Sequence, residues 1–424
     1  MSPLEKIKRN SLLRKTIAFL AHLMFGFPGH GLTIIGVTGT TGKTTTCFMI
    51  KSILESSGIK TGLISTAGFY IGSEIVYPKA HTPATTPDPF FLCSLLKQMK
   101  NKGLQAVVIE VSSFGLMYER VYGLNFASAV LTNISFNHHL AIHGNMEQYI
   151  AAKLKLFQPL EKTATAVLPK ESEYFNLFAK STKAQVITFD KDNNSDIWFQ
   201  IEEMTKEKNK IVVYDGGNSF SVELPLLGLF NIFNALAAVG AVRRFSLAPE
   251  KIKEGLEKLN YIPGRLEYIK GKQPFSVIVD KANTAAAFYA IIDFIKTLGA
   301  KKKIAVYGNF GESPIEEREK LAQIATDFFD LTIITEDDPQ ELSPQPSIDD
   351  FLNFAKKRNV SPEKYLAIDN RKEAIRKAIQ SAQKDDLIVI LGRGNEKIMD
   401  YGIKTIPFDD REVTREILKE EGYL

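Results

Sequence analysis

Lys43 and Thr44 are the residue types that handle phosphate, and they close the run Gly36-Val37-Thr38-Gly39-Thr40-Thr41-Gly42-Lys43-Thr44-Thr45-Thr46. A flexible ammonium reaches the outer phosphates of a nucleotide, and the hydroxyl that follows it ligates Mg²⁺. The glycines let backbone N–H groups approach an anion, and a helix N-terminus behind them favours negative charge. The surroundings suit this chemistry. Leu32-Thr33-Ile34-Ile35 reads as a buried strand, and Cys47-Phe48-Met49-Ile50-Lys51-Ser52-Ile53-Leu54 has helical spacing. The common pattern asks for glycine where this chain has Val37, so the motif is the variant G-T-T-G-K-T-T. A lone Gly-Lys-Thr carries little weight. Between a strand and a helix it predicts ATP-type phosphate binding at Gly39, Thr40, Thr41, Gly42, Lys43, Thr44 and Thr45.

Glu110 ends a second apolar run and precedes Val111-Ser112-Ser113. A carboxylate at the C-terminal end of a strand, beside a phosphate loop, is where a Mg²⁺ ligand belongs. Downstream come Thr132-Asn133 and a histidine cluster, His138, His139 and His143. Neither a cysteine nor a paired carboxylate completes a zinc site there. Lys153, in Met146–Phe157, reads by itself as a solvated lysine on a helix.

The elements that must position these groups alternate between short β-like runs and helical stretches. Val107–Ile109, Ala129–Leu131, Val277–Val279, Ile304–Val306, Leu331–Ile334 and Leu387–Ile390 read as buried strands. Glu317–Phe329 and Arg371–Gln383 read as amphipathic helices between them, the pattern of parallel α/β sheets. A patch of alternating strands spans Ile201 to Val222, and a boundary falls near Tyr261-Ile262-Pro263-Gly264. The 424 residues, 44% hydrophobic, suffice for two or three packed domains. A net charge of +4 with no long basic run disfavours nucleic acid. Two cysteines, Cys47 and Cys93, suit a reducing cytoplasm. No apolar stretch approaches the roughly 20 residues that span a bilayer, so stable membrane insertion is not expected. Basic residues precede the apolar run Thr16–Phe25, which reads as an amphipathic helix packed on the nucleotide domain, with interfacial membrane contact as the alternative.

Together these segments resemble the Mur ligases, and among them the UDP-N-acetylmuramoyl-tripeptide synthetases, over about residues 34–418. Besides the phosphate loop the likeness includes Thr85-Thr86-Pro87, Glu110-Val111-Ser112-Ser113, Thr132-Asn133, Ala151-Ala152-Lys153, Asn231-x-x-Asn234, Gly264-Arg265-Leu266-Glu267, Thr335-x-Asp337 and Asp409-Asp410-Arg411. The resemblance implies an α/β fold: a P-loop parallel-sheet ATPase domain over 31–262, a smaller Rossmann-like domain over 263–424, and a helical extension over 1–30. It implies a ligase of peptidoglycan synthesis, expected to be monomeric, in which ATP phosphorylates a carboxylate of a UDP-N-acetylmuramoyl-peptide. The amine of an amino acid then attacks the acyl phosphate. Lys43, Thr44 with Mg²⁺, Glu110, a histidine and Lys153 would serve this step, Lys153 as a carbamate that ligates the metal. Asn234 and Arg265 match contacts to adenine and phosphates, and Asp280 matches the ribose contact. With only about 30 residues ahead of the loop, most of the family's uridine-binding domain is expected to be lacking. Uridine recognition would then fall to Thr85-Thr86-Pro87, Ser112, Arg120 and the N-terminal helix.

The chain also departs from the family. Counting forward from Glu110 puts the metal-binding histidine at His138, and counting back from Lys153 puts it at His139. Spacing leaves both open; His139 is the preferred of the two, because Leu140 and His143-Gly144 then fall into register. The family's Asp-Tyr-Ala-His-Thr-Pro is Asp280-Lys281-Ala282-Asn283-Thr284-Ala285 here, with Lys281 either at phosphate or solvated. In the amino-acid site Asp-Asn-Pro-Arg has become Asp337-Asp338-Pro339-Gln340, and a second arginine aligns with Ser313. Asp338, Gln340, Gly392 and Glu396 are the expected amino-acid contacts, and Arg393 could supply a replacement positive charge. Two further readings stand beside this one: a non-catalytic nucleotide-binding homologue, and a superfamily ligase with a folate or lipid-linked muropeptide acceptor. Replacing Lys43 by Ala is expected to abolish turnover and weaken ATP binding at least tenfold in calorimetry. Unchanged affinity would remove the phosphate-loop assignment.

Overall fold

The computed structural model describes residues 10–76, 85–135, 143–205, 208–311, 313–339, 343–402 and 404–424. They form two compact units, the first running to Asn260 and the second beginning at Tyr261.

The first unit is built on an eleven-stranded sheet. Its strands are β1 (Thr33–Thr38), β2 (Thr61–Ser65), β3 (Gly68–Ile71), β4 (Glu74–Val76), β5 (Ala106–Glu110), β6 (Phe126–Leu131), β7 (Thr165–Pro169), β8 (Gln185–Phe189), β9 (Ile197–Met204), β10 (Asn209–Asp215) and β11 (Asn218–Leu224). They lie in the order β11-β10-β9-β8-β7-β6-β1-β5-β2-β3-β4. The stretch from β9 through β2 is parallel, and antiparallel hairpins extend it at both ends. Sequence and topology agree on why. β5, Ala-Val-Val-Ile-Glu, is buried at every position, as a strand covered by helices on both faces must be. β10 alternates buried and half-buried residues, because its outer face meets water. The alternating patch seen in the sequence is thus an extension of the nucleotide sheet.

Helix Lys43–Ser56 crosses the sheet behind β1 and packs against helices Leu229–Val242 and Pro249–Lys258. The last contact is backbone on backbone. A Cβ on Gly255 would run into the main chain of Ile53, and Ser52 Oγ donates to the Gly255 carbonyl at 2.6 Å. Ahead of the sheet, helix Ser11–Met24 is capped by Asn10, whose side chain accepts from Leu12 N and Leu13 N. It packs on helix Pro89–Asn101 through Ala18, Ala21 and His22, while Leu12, Phe19, Leu20, Leu23 and Met24 face solvent. The helix does pack, but through small and polar residues with its larger apolar side chains outward, the reverse of what an amphipathic segment would do. His22 Nε2 donates to the Tyr122 carbonyl at 3.0 Å, which leaves Nδ1 to face Cys93 Sγ at 3.6 Å. Burial lowers the His22 pKa, in keeping with a neutral ring. Among the described residues no helix is long and apolar enough to cross a membrane.

The second unit carries a six-stranded sheet of β12 (Glu267–Tyr268), β13 (Ser276–Asp280), β14 (Lys303–Asn309), β15 (Leu331–Glu336), β16 (Tyr365–Ala367) and β17 (Leu387–Leu391), in the order β12-β13-β17-β14-β15-β16. All neighbours are parallel except β12 with β13. A small hairpin, β18 (Ile398–Asp400) and β19 (Thr405–Pro407), stands apart. Helices Ala285–Lys296, Ile315–Phe328, Gln345–Lys357, Arg371–Ser381 and Asp410–Glu420 complete this α/β unit. The six strands anticipated from apolar runs are all present. Gly255→Val is expected to destabilise the protein by about 1–3 kcal/mol, the usual scale of overpacking, read as a lowered thermal midpoint. An unchanged midpoint would mean that helices Lys43–Ser56 and Pro249–Lys258 do not meet this closely.

Candidate functional site

The strand order changes direction around β1, with β5 on one side and β6 on the other. In open α/β sheets ligands bind outside the C-terminal ends of strands at such a point. The loop after β1, Glu110 at the end of β5, and Thr132-Asn133 after β6 all lie there.

Side chains hold the loop. Thr41 N donates to Asn133 Oδ1 at 3.0 Å, Asn133 Nδ2 returns to the Thr41 carbonyl at 3.2 Å, and Thr132 Oγ1 donates to the same carbonyl at 2.6 Å. Thr40 N donates to the Asn133 carbonyl at 3.0 Å. Gly39 (φ +154°) and Gly42 (φ +79°) are the positions where a side chain cannot fit. A Cβ would strike Thr132 Oγ1 at the first and Asn234 Oδ1 at the second. Val37 lies inside β1, paired with Glu110 and Val130, so the variant motif dispenses with glycine only where the backbone is regular strand. Asn234, expected at the adenine, is buried against this loop, with Oδ1 3.4 Å from Thr46 Oγ1 and Nδ2 donating to Asn231 Oδ1 at 3.0 Å.

Lys43 Nζ turns back on the loop, donating to the carbonyls of Gly39 (3.1 Å) and Thr40 (2.9 Å). Lys153 Nζ donates to the same Gly39 carbonyl at 2.8 Å and lies 4.5 Å from the centre of the Tyr149 ring. Far from being solvated, Lys153 is 1% exposed, and burial lowers its pKa to about 7. His143, also buried, bonds Ser113 Oγ at 3.0 Å and stacks on Phe114. Burial, reinforced by Lys153, lowers its pKa to about 4, so the ring is neutral. Thr44 Oγ1 donates to Glu110 Oε2 at 3.0 Å, and Thr45 is buried in the same first helical turn. Thr66, which sequence reasoning passed over, donates through N (3.0 Å) and Oγ1 (3.1 Å) to the two Glu110 oxygens. Its hydroxyl also meets Thr85 Oγ1 at 3.1 Å. His138 and His139 lie outside the described residues.

The expected uridine contacts form one network. Thr86 Oγ1 donates to the Glu110 carbonyl at 3.0 Å and accepts from Ser112 N at 2.9 Å. Arg120 Nη1 donates to the Thr86 carbonyl at 2.7 Å, and partial burial lowers the guanidinium's pKa.

In the second unit, Asp337, Asp338 and Glu396 bring carboxylate oxygens within 4.8 Å of one another. Arg393 does not offer them a free cation. It is fully buried and donates to Asp337 Oδ1 (3.1 Å), Asp338 Oδ1 (2.6 Å) and the Ile398 carbonyl. Lys281 is neither solvated nor free, because it pairs with Glu396. Burial pushes Asp337 up to about 7 and raises Asp338, whereas Lys281 and Arg393 outweigh burial and hold Glu396 low. Gly392 (φ +113°) is required, since a Cβ would strike Asp337 Oδ2. Asp280 is buried and accepts from Leu266 N (2.7 Å) and Ala282 N (2.8 Å), with burial raising its pKa. Arg265 Nη1 donates to the Gly264 carbonyl at 3.2 Å. Ser313 is buried in a turn, its carbonyl accepting from Arg318 Nε at 2.8 Å. Gln340 lies outside the described residues.

A parallel sheet with a phosphate loop at its switch point, followed by a second α/β unit, defines a two-unit phosphate-loop protein. Residues 37–242 match the Mur ligase middle domain, and residues 264–394 match the domain described as Mur ligase, glutamate ligase domain. The chain is 35% identical over 409 residues to the UDP-N-acetylmuramoyl-L-alanyl-D-glutamate–2,6-diaminopimelate ligase of Clostridium tetani, covering 96% of this chain and 82% of that one. The ligase of the same name from Geobacillus kaustophilus is 35% identical over 417 residues, covering 96% and 83%. A solved structure of a diaminopimelate ligase of this kind aligns over 97% of this chain and 84% of its own, with 26% identity and a TM-score of 0.64. The MurF ligase of Thermotoga maritima in complex with ADP shares the fold, with TM-score 0.70 over 96% of this chain and 84% of its own at 17% identity. The chain belongs to the Mur ligase family.

Asn133→Ala leaves Thr41 N without its acceptor. A lost buried partner costs about 1–3 kcal/mol, so Mg–ADP affinity is expected to fall roughly tenfold or more in calorimetry, with the protein still folded by thermal melt. Equal affinity would show that Asn133 does not hold the loop.

Proposed function

We propose that this protein is an ATP-dependent ligase that joins an amino acid to a UDP-N-acetylmuramoyl-peptide in peptidoglycan synthesis, through an acyl phosphate. The observation that carries the reading is the meeting of Lys43 and Lys153 on the Gly39 carbonyl beside the Thr44–Glu110 pair, at the switch point of the sheet. The residues suit the groups they would hold. Gly39 and Gly42 give the loop backbone the positive φ angles and close approaches that a phosphate cradle needs. The Thr44 hydroxyl and Glu110 carboxylate are hard oxygen donors of the sort Mg²⁺ takes. When bound, ATP with Mg²⁺ supplies the phosphoryl group and screens its charge. Lys43 lets go of the loop carbonyls and turns to the phosphates. Thr66 keeps both Glu110 oxygens oriented. On the same reading Asn234, Arg265 and Asp280 contact the nucleotide, His139 joins the metal ligands, and Thr85, Thr86, Ser112 and Arg120 hold the uridine end. The division at residues 30 and 262 belongs to this proposal. An ADP-release assay over a panel of amino acids and UDP-muramoyl-peptides tests it. Release with none of them would favour a non-catalytic homologue, and release only with a folate or lipid-linked acceptor would move the substrate class.

Lys153 is the proposed carbamate. Only a neutral amine attacks CO₂, and with a pKa of about 7 roughly half of the Lys153 amines are neutral at pH 7, against about one in three thousand for an ordinary lysine. At fixed dissolved CO₂, ¹³C-carbamate labelling is expected to rise through pH 6–8. Lys153→Ala should lose both the signal and the activity, and full activity in that variant would dispose of the role.

The amino-acid end is proposed to favour a basic substrate. Asp338 stands where relatives' motifs carry Asn, and Gln340 where they carry the arginine that grips a carboxylate. Losing that contact costs about 1.5–3 kcal/mol, and Asp338 adds like-charge repulsion. Asp338 and Glu396 are partly exposed and lie with Asp337 within 4.8 Å of one another, so a side-chain ammonium would meet carboxylates there. The expected outcome is a kcat/KM for lysine at least tenfold above that for meso-diaminopimelate. The reverse order would show that another residue grips the carboxylate.

A further inference from the structure

Lys153 and Tyr149 lie four residues apart on helix Met146–Leu154 and so share one face. Both are 1% exposed. The Tyr149 ring lies under the Lys153 ammonium, 4.5 Å from centroid to Nζ, and makes a T-shaped contact with His143 at 5.3 Å and 72°. Its hydroxyl reaches the other way, 3.1 Å from Thr40 Oγ1 in the phosphate loop. Thr40 Oγ1 accepts from Ser135 N at 3.0 Å and donates to the Ser135 carbonyl at 3.3 Å. At the third contact either the Tyr149 or the Thr40 hydroxyl can donate, and in both cases the two side chains are tied together. One buried side chain therefore grips the loop between Gly39 and Thr41 and seats the lysine that bonds Gly39.

We propose that Tyr149 is a positioning residue that sets the phosphate loop and Lys153 in register, its hydroxyl fixing Thr40 for nucleotide binding and its ring fixing where the lysine amine rests. The inference rests on the reading that this loop holds the nucleotide. It adds a determinant that no loop motif contains, about a hundred residues further along the chain. A buried phenol lost from a hydrogen bond to a neutral partner corresponds to roughly a tenfold change in an equilibrium.

Tyr149→Phe keeps the ring and removes only the hydroxyl, so it tests the link to the loop. Mg–ADP affinity by calorimetry is expected to fall about tenfold, and the KM for ATP to rise by a similar factor while kcat stays within twofold. In a Thr40→Val background, which has already lost the partner hydroxyl, the same substitution should change affinity less than twofold. The Lys153 carbamate signal in ¹³C NMR should persist in Tyr149→Phe, because the ring remains. Undiminished nucleotide affinity in Tyr149→Phe would overturn the proposal, and so would an equal loss in both backgrounds. Disappearance of the carbamate signal would also overturn it, because the hydroxyl would then act through Lys153. A wild-type protein with no carbamate signal would instead refute the carbamate reading of Lys153, and the two affinity measurements would still decide the role of Tyr149. Failure of Mg–ADP to bind the wild type would remove the nucleotide reading on which the proposal rests.

Discussion

The Gly39 carbonyl is the point on which the first unit turns, because two lysine ammonium groups share it. Burying an ammonium is costly unless something replaces its hydration. At Lys153 the replacement is a carbonyl dipole and an aromatic face, with no full negative charge in either, and its pKa falls accordingly. Gly39 can present its carbonyl this way only because it has no side chain; a Cβ would occupy the position of the Thr132 hydroxyl. Thr132 and Asn133 are fixed in turn by β6 pairing beside β1. The geometry around one carbonyl thus depends on the strand order of the whole sheet. It also brings two ammonium groups to one carbonyl, where a nucleotide's phosphates or a carbamate would find their charge answered.

The second unit solves the same problem in the opposite way. Arg371 is fully buried but forms a bidentate pair with Asp410, at 2.8 Å for each oxygen, and donates to the carbonyls of Glu336 and Leu391 at the ends of β15 and β17. Arg393 is likewise closed in by Asp337 and Asp338. These cations are structural: removing one partner of such a pair leaves a buried charge unanswered, a loss of about 3–5 kcal/mol. In the first unit Lys43 and Lys153 donate to loop carbonyls, partners that can be exchanged for a ligand. That difference in partner separates a guanidinium that builds a fold from an ammonium that can do chemistry.

What could be read from the sequence was what is local. Strands such as β5 and β17 announce themselves as unbroken apolar runs because helices cover both faces. The loop announces itself because glycine, lysine and threonine needs fall within a few consecutive residues. What could not be read is what distant segments bring together. Thr66 and Glu110 are 44 residues apart and Tyr149 and Thr40 are 109 apart, and neither Thr66 nor Tyr149 has a residue type that by itself suggests a role. Lys153 looked like a surface lysine from its helix alone, since nothing local shows that its side chain points inward. Lys281 was open between phosphate and solvent, and Arg393 was open as a spare cation, because their partners Glu396 and Asp337-Asp338 are set by the sheet rather than by spacing. The extra sheet strands β9 to β11 were visible as strands, but their continuity with the nucleotide sheet was not.

Val37 shows why a motif should be read as geometry before it is read as spelling. Its position is the one where the common phosphate-loop pattern has glycine, and by letters alone the match is imperfect. In space Val37 is an ordinary buried strand residue between Glu110 and Val130. The two glycines that remain, Gly39 and Gly42, have the positive backbone angles and the obstructed Cβ positions. The loop has therefore kept glycine where sterics demand it and put an apolar, β-branched residue where the strand gains from burial. Thr38, still within β1, is the last sheet position before the backbone turns into the loop.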